Sequence, residues 1–256
     1  MQKVFLMGLV LSLMLGCEAK GKESYQSAEI AKIPEASGIC FSKKSHTLFV
    51  VEDEGKIYEI STEGKILRQK RLGDLDLEGI ACDDAKGELL LAQEGEDDIL
   101  IVGQKTLNLK KRINIKRKYH DRLILKKDKK HGLEGITLVD DFILLSNQSK
   151  KLGVKKDPSV MFKVEKSDKK KVTILELFEH GHIDISGLCY HDNTLFMVSD
   201  RENLLLKYDM KNKKVLATAK LPLASQEGIA FDDDGNLYIA NDAGSILKYK
   251  RKKFGL

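Results

Sequence analysis

The chain of 256 residues carries 44 Lys and Arg against 39 Asp and Glu, has no tryptophan and contains only 6% aromatic residues. Its net charge of +5 does not by itself mark a nucleic-acid binder, and with aromatic side chains so scarce, platforms for stacking bases are few, so no nucleic-acid partner is expected. Beyond the first residues no apolar run approaches the ~20 residues that a membrane-spanning helix needs.

Residues 1–16 read as a signal segment. Lys3 precedes an apolar stretch from Val4 to Leu15, too short to span a bilayer stably, and Gly16 and Cys17 follow. The arrangement resembles the bacterial lipoprotein signal, in which a diacylglycerol is attached to the cysteine, here Cys17, and cleavage makes that cysteine the first residue. Residues 17–27 are then a lipidated polar tether, and residues 28–256 form one domain large enough to bury a sizeable core. Glu18 is not the Asp that commonly retains lipoproteins in an inner membrane, so the expected location is the outer membrane, facing the periplasm.

From residue 35 onward one pattern recurs. It reads Glu35-Ala-Ser37-Gly38-Ile39, Asp76-Leu-Glu78-Gly79-Ile80, Gly132-Leu-Glu134-Gly135-Ile136, Asp184-Ile-Ser186-Gly187-Leu188 and Ser225-Gln-Glu227-Gly228-Ile229, with glycines 41, 56, 52 and 41 residues apart. Each copy runs into a polar turn and a second apolar strand, and most continue with a third and a fourth. These periods predict an all-β, five-bladed β-propeller of four-stranded blades. The fifth copy stops after its third strand. Residues 28–33 precede the first copy as a fourth strand precedes each later one, so pairing them with residues 245–250 closes the ring and leaves no open sheet edge. Cys40, Cys82 and Cys189 stand in strand-like runs far apart in sequence and are expected as buried, unpaired thiols.

The Glu-x-Ser-Gly-Ile start, the repeated Leu-Glu-Gly-Ile, and the ending from Gln226 through Asp232-Asp-Asp-Gly-Asn236 to Ile239 resemble the SdiA-regulated propeller domain of bacterial envelope proteins. The resemblance covers about residues 28–250 and implies the propeller fold, an envelope location and a bound Ca²⁺, but no particular reaction. Similar motifs occur in gluconolactonase-like and esterase-like phytase propellers.

In such a fold the first strand starts and the second strand ends on one face of the disc. The acids of the repeated motif and the residues closing each second strand therefore converge on one mouth of the central channel. Glu78, Glu134, Glu227, Asp53, Asp200 and Asp242 are the candidate metal ligands, since oxygen-only donors favour a hard cation such as Ca²⁺. Glu35, Glu94, Asn147, Gln148, Asn241, His131 and His182 are further ligand-binding candidates around them. The same acids also suit a purely structural network that accepts backbone N–H groups of neighbouring blades, and both readings stay open. Asp232–Asn236 has its glycine too early for an EF-hand and reads as a hairpin turn.

Neither a Gly-x-Ser-x-Gly elbow nor a phosphate-binding Gly-Lys-Ser/Thr loop occurs. Residues 103–131 carry twelve Lys and Arg against two acids, and residues 149–171 nine against three. By the same strand logic both basic loops overhang the acidic mouth. They suit an anionic ligand, while a solvated lysine-rich surface or attraction to anionic lipid headgroups accounts for them equally. Two functions follow: a monomeric envelope module that binds a small anionic ligand or an envelope protein, with membrane lipid attached through Cys17, or a metal-assisted hydrolase of phosphate esters or lactones.

Overall fold

The computed structural model describes residues 27–129, 131–222 and 224–250; the signal segment and Cys17 lie outside the described residues. Short aliphatic runs such as Glu88–Gln93 are buried on both faces, whereas a fourth strand such as Lys214–Lys220 alternates exposed and half-buried positions. The chain thus encodes inner strands sandwiched between neighbouring sheets and outer strands with one wet face.

A single strand, β1 (Ser27–Lys32), comes first. Blade 1 is β2 (Ala36–Ser42), β3 (Thr47–Glu52), β4 (Lys56–Ile60) and β5 (Ile66–Arg71). Blade 2 is β6 (Leu77–Asp83), β7 (Glu88–Gln93), β8 (Asp98–Gly103) and β9 (Leu109–Ile115). A two-stranded hairpin, β10 (Lys118–Tyr119) and β11 (Arg122–Leu123), leads to blade 3, made of β12 (Leu133–Val139), β13 (Phe142–Asn147), β14 (Met161–Glu165) and β16 (Ile174–Phe178). Between its last two strands, β15 (Lys171–Val172) reaches across to pair with β9 in parallel. Blade 4 is β17 (Ile185–His191), β18 (Thr194–Ser199), β19 (Leu204–Asp209) and β20 (Lys214–Lys220). Blade 5 is β21 (Gln226–Phe231), β22 (Leu237–Asn241) and β23 (Ser245–Tyr249). Its fourth strand is β1, antiparallel to β23 with Ser27 opposite Tyr249 and Lys32 opposite Ser245, so the ring closes at the termini as the truncated fifth repeat requires.

The core is five apolar layers, one between each pair of adjacent blades. The layer between blades 2 and 3 also takes in Ile124, Leu125 and Val172, which root the two long loops in the interior.

Structure corrects the cysteine expectation. Cys40 and Cys82 form a disulfide, with their Cα atoms 5.9 Å apart, and Cys189 alone of the three is free. The reason is a stagger between blades. Counting from the motif glycine, the second residue after it in one blade packs against the third residue after it in the next: Thr137 Oγ1 accepts the N–H of Tyr190, and Cys189 shares a layer with Phe231. Cys40 and Cys82 hold these two positions in blades 1 and 2, whereas the place facing Cys189 is Phe231. Asp232–Asn236 is the expected turn, with Asn236 N–H donating to Asp232 Oδ1 at 2.8 Å.

The disulfide closes a loop of 42 residues. On the chain-entropy scale, replacing both cysteines by alanine is expected to lower the unfolding free energy by ~4 kcal/mol, read from urea transitions without reductant. Equal midpoints for the two proteins would refute the cross-link.

Candidate functional site

The motif acids owe their direction to a bulge repeated in every blade. Pairing skips from Ala36 to Gly38, Leu77 to Gly79, Leu133 to Ile136, Ile185 to Gly187 and Gln226 to Gly228. The skipped residues include Ser37, Glu78, Glu134, Ser186 and Glu227, each left out of the ladder and re-aimed towards the channel. The glycine that follows is fixed by the next blade. A Cβ on Gly79 would lie 2.3 Å from the Glu134 carbonyl oxygen, one on Gly187 2.5 Å from that of Glu227, one on Gly38 2.8 Å from that of Glu78, and one on Gly228 2.8 Å from that of Ser37.

The second-strand residues divide by alternation. The last residue of each second strand is buried and turned to structural work. Asn147 donates to the carbonyls of Ile124 and Pro158 and accepts Val160 N–H, and Asn241 donates to Ala224 O and accepts Ala243 N–H. Glu52 takes the Tyr58 hydroxyl and Lys56, and Gln93 takes Arg112. Asn147 and Asn241, two of the sequence-derived ligand candidates, therefore have their polar side-chain atoms committed to backbone. The next residue along, Asp53, Glu94, Gln148 or Asp242, is tied by its N–H to the carbonyl three residues before the motif glycine (Glu35, Asp76, Gly132 and Ser225 respectively). This contact pins the second set of acids beside the first.

The acids fall into two groups joined by Glu134. Carboxylate oxygens of Asp53, Asp76 and Glu78 all lie within 4.8 Å of one another, at the junction of blades 1 and 2. Glu94 stands beside Asp76; it is 6% exposed, and its Oε1 is buried with no hydrogen-bond partner. On the other side Glu227 feels Asp200, Asp184 and Asp242. Buried Glu134, 3% exposed, feels both groups. Of the six residues expected to ligate metal, the close cluster thus brings together Asp53 and Glu78, adds Asp76, and leaves Glu134, Glu227, Asp200 and Asp242 farther around the ring.

Desolvation by burial, and then mutual repulsion, hold these groups protonated well past the usual carboxylate range. Glu94 and Glu227 are each pushed up to about 8, and Asp53 to about 6 in spite of its bond from Ser37 Oγ. Glu78 and Glu134 are raised well above their ordinary value by burial and by their neighbours' charges. Asp184 and Asp200 are raised as well, again mainly by burial. Along the axis, between the motif glycines, Glu78 and Glu227, the open volume is only ≈ 10 Å³, room for about one water. Any ligand larger than a water therefore sits outside the channel, on the mouth.

The remaining candidates lie around this mouth. Glu35 lends its carbonyl to Asp53 N–H, while its charge reaches the Asp53 carboxylate. Gln148, with Oε1 buried and unpartnered, and half-exposed His131 line a cavity of ≈ 190 Å³ together with Lys126, Lys150 and Lys151. His182 is held by Glu202 through Nδ1 at 2.6 Å. Burial lowers His180 to about 4. Sequence reasoning missed the buried ion pair of Asp97 with Arg117, whose guanidinium also donates to Glu96 O and Lys126 O and so binds the basic loop to the mouth. Nothing in the run around Asp97 singles it out from its acidic neighbours.

Fold and site together define a closed five-bladed propeller with an acidic, cation-competent mouth. The chain belongs to the SdiA-regulated family, whose profile matches residues 21–244. No curated protein matches it in sequence. Among solved structures it is similar to Myxococcus xanthus glutaminyl cyclase, with TM-score 0.66 and 13% identity over 88% of this chain and 93% of that one. It is also similar to a streptogramin B lyase, with TM-score 0.51 and 12% identity over 88% and 97% of the respective chains. The β-propeller domain of Cps50 (Swd1) from Myceliophteria thermophila gives TM-score 0.51 and 10% identity over 88% and 99%. At these identities the likeness is one of fold alone.

The raised carboxyls make stability fall with pH in a defined direction. A group bound to its proton only in the folded state stabilises fully below its unfolded value, and that contribution is lost as pH rises through the folded one. Glu94 and Glu227 therefore cost stability progressively up to about pH 8. In chelator, melting temperature is expected to decline from pH 6.5 to 8.5, a window above the range in which His180 acts, each such proton steepening the slope by ~1.4 kcal/mol per pH unit. Glu94→Gln should flatten the decline. A melting temperature level or rising across that window contradicts the assignment.

Proposed function

We propose that this chain is an envelope lipoprotein whose propeller holds Ca²⁺ at the channel mouth and, through that ion, binds an anionic ligand or partner. One observation carries the reading. Asp53, Asp76 and Glu78 place three carboxylates within 4.8 Å, and buried Glu94 beside them keeps an oxygen without a partner. Four carboxylates packed this way need protons or a cation, and an all-oxygen set suits a hard divalent ion. Ca²⁺ takes six to eight oxygens, so with one oxygen from each of these four carboxylates its remaining positions are open to a ligand's phosphate or carboxylate. Lys126, Lys150 and Lys151, lining the cavity on the same face, suit the same charge.

Two features support an envelope location. Residues 3–17 have the order of a lipoprotein signal, and a disulfide such as Cys40–Cys82 persists in oxidising compartments such as the periplasm.

Calcium titration calorimetry in buffers of different ionisation enthalpy should show binding accompanied by proton release, because Asp53 and Glu94 surrender protons held at about 6 and about 8. Melting should rise by about 5–10 °C at a hundredfold excess over Kd. Glu78→Gln should weaken binding by ~10-fold or more without unfolding the protein. No heat, together with melting that ignores both Ca²⁺ and chelator, would leave the acids as a structural network. Separately, Cys17→Ser should free the protein from membranes or leave an unprocessed precursor; unchanged fractionation and mass would refute the anchor.

A further inference from the structure

We infer that the paired basic loops of blades 2 and 3 form a knob that docks on an anionic lipid surface, with Leu152 and Val154 at the point of insertion. The loop between β13 and β14 exposes every residue from 150 to 156. Leu152 is 47% and Val154 36% exposed, and Gly153 between them has φ +64° with open space where a Cβ would point. Lys150, Lys151, Lys155 and Lys156 flank this apolar tip, and Asp157 is the only acid between residues 149 and 157.

The tip is exposed yet firmly held. Leu123 N–H donates to Lys155 O at 3.0 Å and Asp157 N–H to Leu123 O at 2.7 Å, so the hairpin before blade 3 braces the loop as an added strand would. Arg122 donates to Val154 O, and Ser159 N–H to Lys151 O. Immediately below, Ile124 and Leu125 are buried in the layer between blades 2 and 3. The fold therefore presents two apolar side chains outward on a rigid base, although apolar interior lies next to them. Among the described residues the other large exposed apolar side chains, Ile66, Leu67, Leu109, Leu175 and Leu216, all sit on outer strands, where scattered apolar exposure is ordinary.

Lysines around an apolar tip match the two halves of a membrane interface. The charges meet anionic headgroups within a Debye length, and the aliphatic side chains enter the acyl boundary. A soluble polyanion would use the lysines and leave Leu152 and Val154 without a role. The loop leaves the mouth end of β13, so docking turns the mouth towards the headgroups, while Ser27 begins β1 on the opposite face. Residues 17–26 reach at most ~35 Å when extended, against ~20 Å for a six-residue strand, so a lipid on Cys17 and the knob are able to engage one bilayer. The inference does not require that lipid or a bound cation.

The chain has no tryptophan, so Leu152→Trp provides a lone reporter, and Leu216→Trp, on β20 and 50% exposed, its control. Both full-length variants would be mixed, in chelator, with phosphatidylcholine vesicles containing about one third phosphatidylglycerol, and with phosphatidylcholine alone. The emission of Leu152→Trp is expected to shift to the blue on anionic vesicles only, and to return in about 1 M salt, where screening is nearly complete. Leu216→Trp should not shift. Adding Lys150→Glu and Lys151→Glu to the reporter should weaken partitioning by ~10-fold or more. The N-terminal segment is common to both reporters, so its own affinity for lipid cannot produce a difference between them. Unchanged emission of Leu152→Trp on anionic vesicles, an equal shift of Leu216→Trp, or a shift reproduced by soluble polyglutamate would overturn the proposal.

Discussion

The structure depends on the contact between each motif glycine and the next blade around the axis. At Gly79 a single added carbon would meet the Glu134 carbonyl at 2.3 Å, and three more of the five glycines face the neighbouring blade's motif carbonyl nearly as closely. Backbones can approach this far only where no Cβ stands between them. Drawing five sheets so close leaves a channel that admits about one water, and the bulge residues that enter it are buried (Ser37, Glu134 and Ser186) or partly buried (Glu78 and Glu227). The acids are therefore desolvated because the glycines are there, and their pKa shifts follow from the packing of the ring.

That relation is why the recurrent pair is acid followed by glycine in three blades and serine followed by glycine in two. Serine at the bulge adds no charge of its own and donates its hydroxyl instead: Ser186 Oγ to Gln226 O at 2.9 Å, and Ser37 to Glu35 O and to the Asp53 carboxyl. Five acids so close to one axis would each raise the others further. With serine in blades 1 and 4 the repulsion concentrates between Glu78, Glu134 and Glu227 and the second-strand acids outside them.

Much of the fold was legible because a propeller repeats its own instructions. Spacing of the five glycines gave the blade number, and the missing fourth strand of the last repeat located its substitute at residues 28–33. Less of the site could be read, for two physical reasons. A bulge adds one residue to a strand and reverses which side chains face the channel, and no single residue type announces it. Alternation then sends Asn147 and Asn241 into the sheet and Glu94 and Gln148 to the mouth, although all four look alike as polar residues ending a strand. The disulfide escaped notice because Cys40 and Cys82 stand two and three residues after their glycines, on opposite faces of their own strands. Only the stagger of adjacent blades brings such positions together.

The disulfide and the carboxylate cluster occupy the same boundary, and this bears on how the cluster is held. Asp53 comes from blade 1 and Asp76 and Glu78 from blade 2, while Cys40–Cys82 ties the innermost strands of those two blades a few residues away. Like charges across an interface push it apart, most strongly when the protons leave and no cation has replaced them. Among the described residues the other four boundaries are held by non-covalent contacts: apolar layers, hydrogen bonds and ion pairs such as Lys166–Asp83 and Lys213–Glu176. Between blades 1 and 2 a covalent bond resists the repulsion too, and the repelling oxygens remain close enough to share one ion. The cross-link thus stands at the boundary where three carboxylates lie within 4.8 Å of one another, and it holds the two blades together when those acids lose their protons.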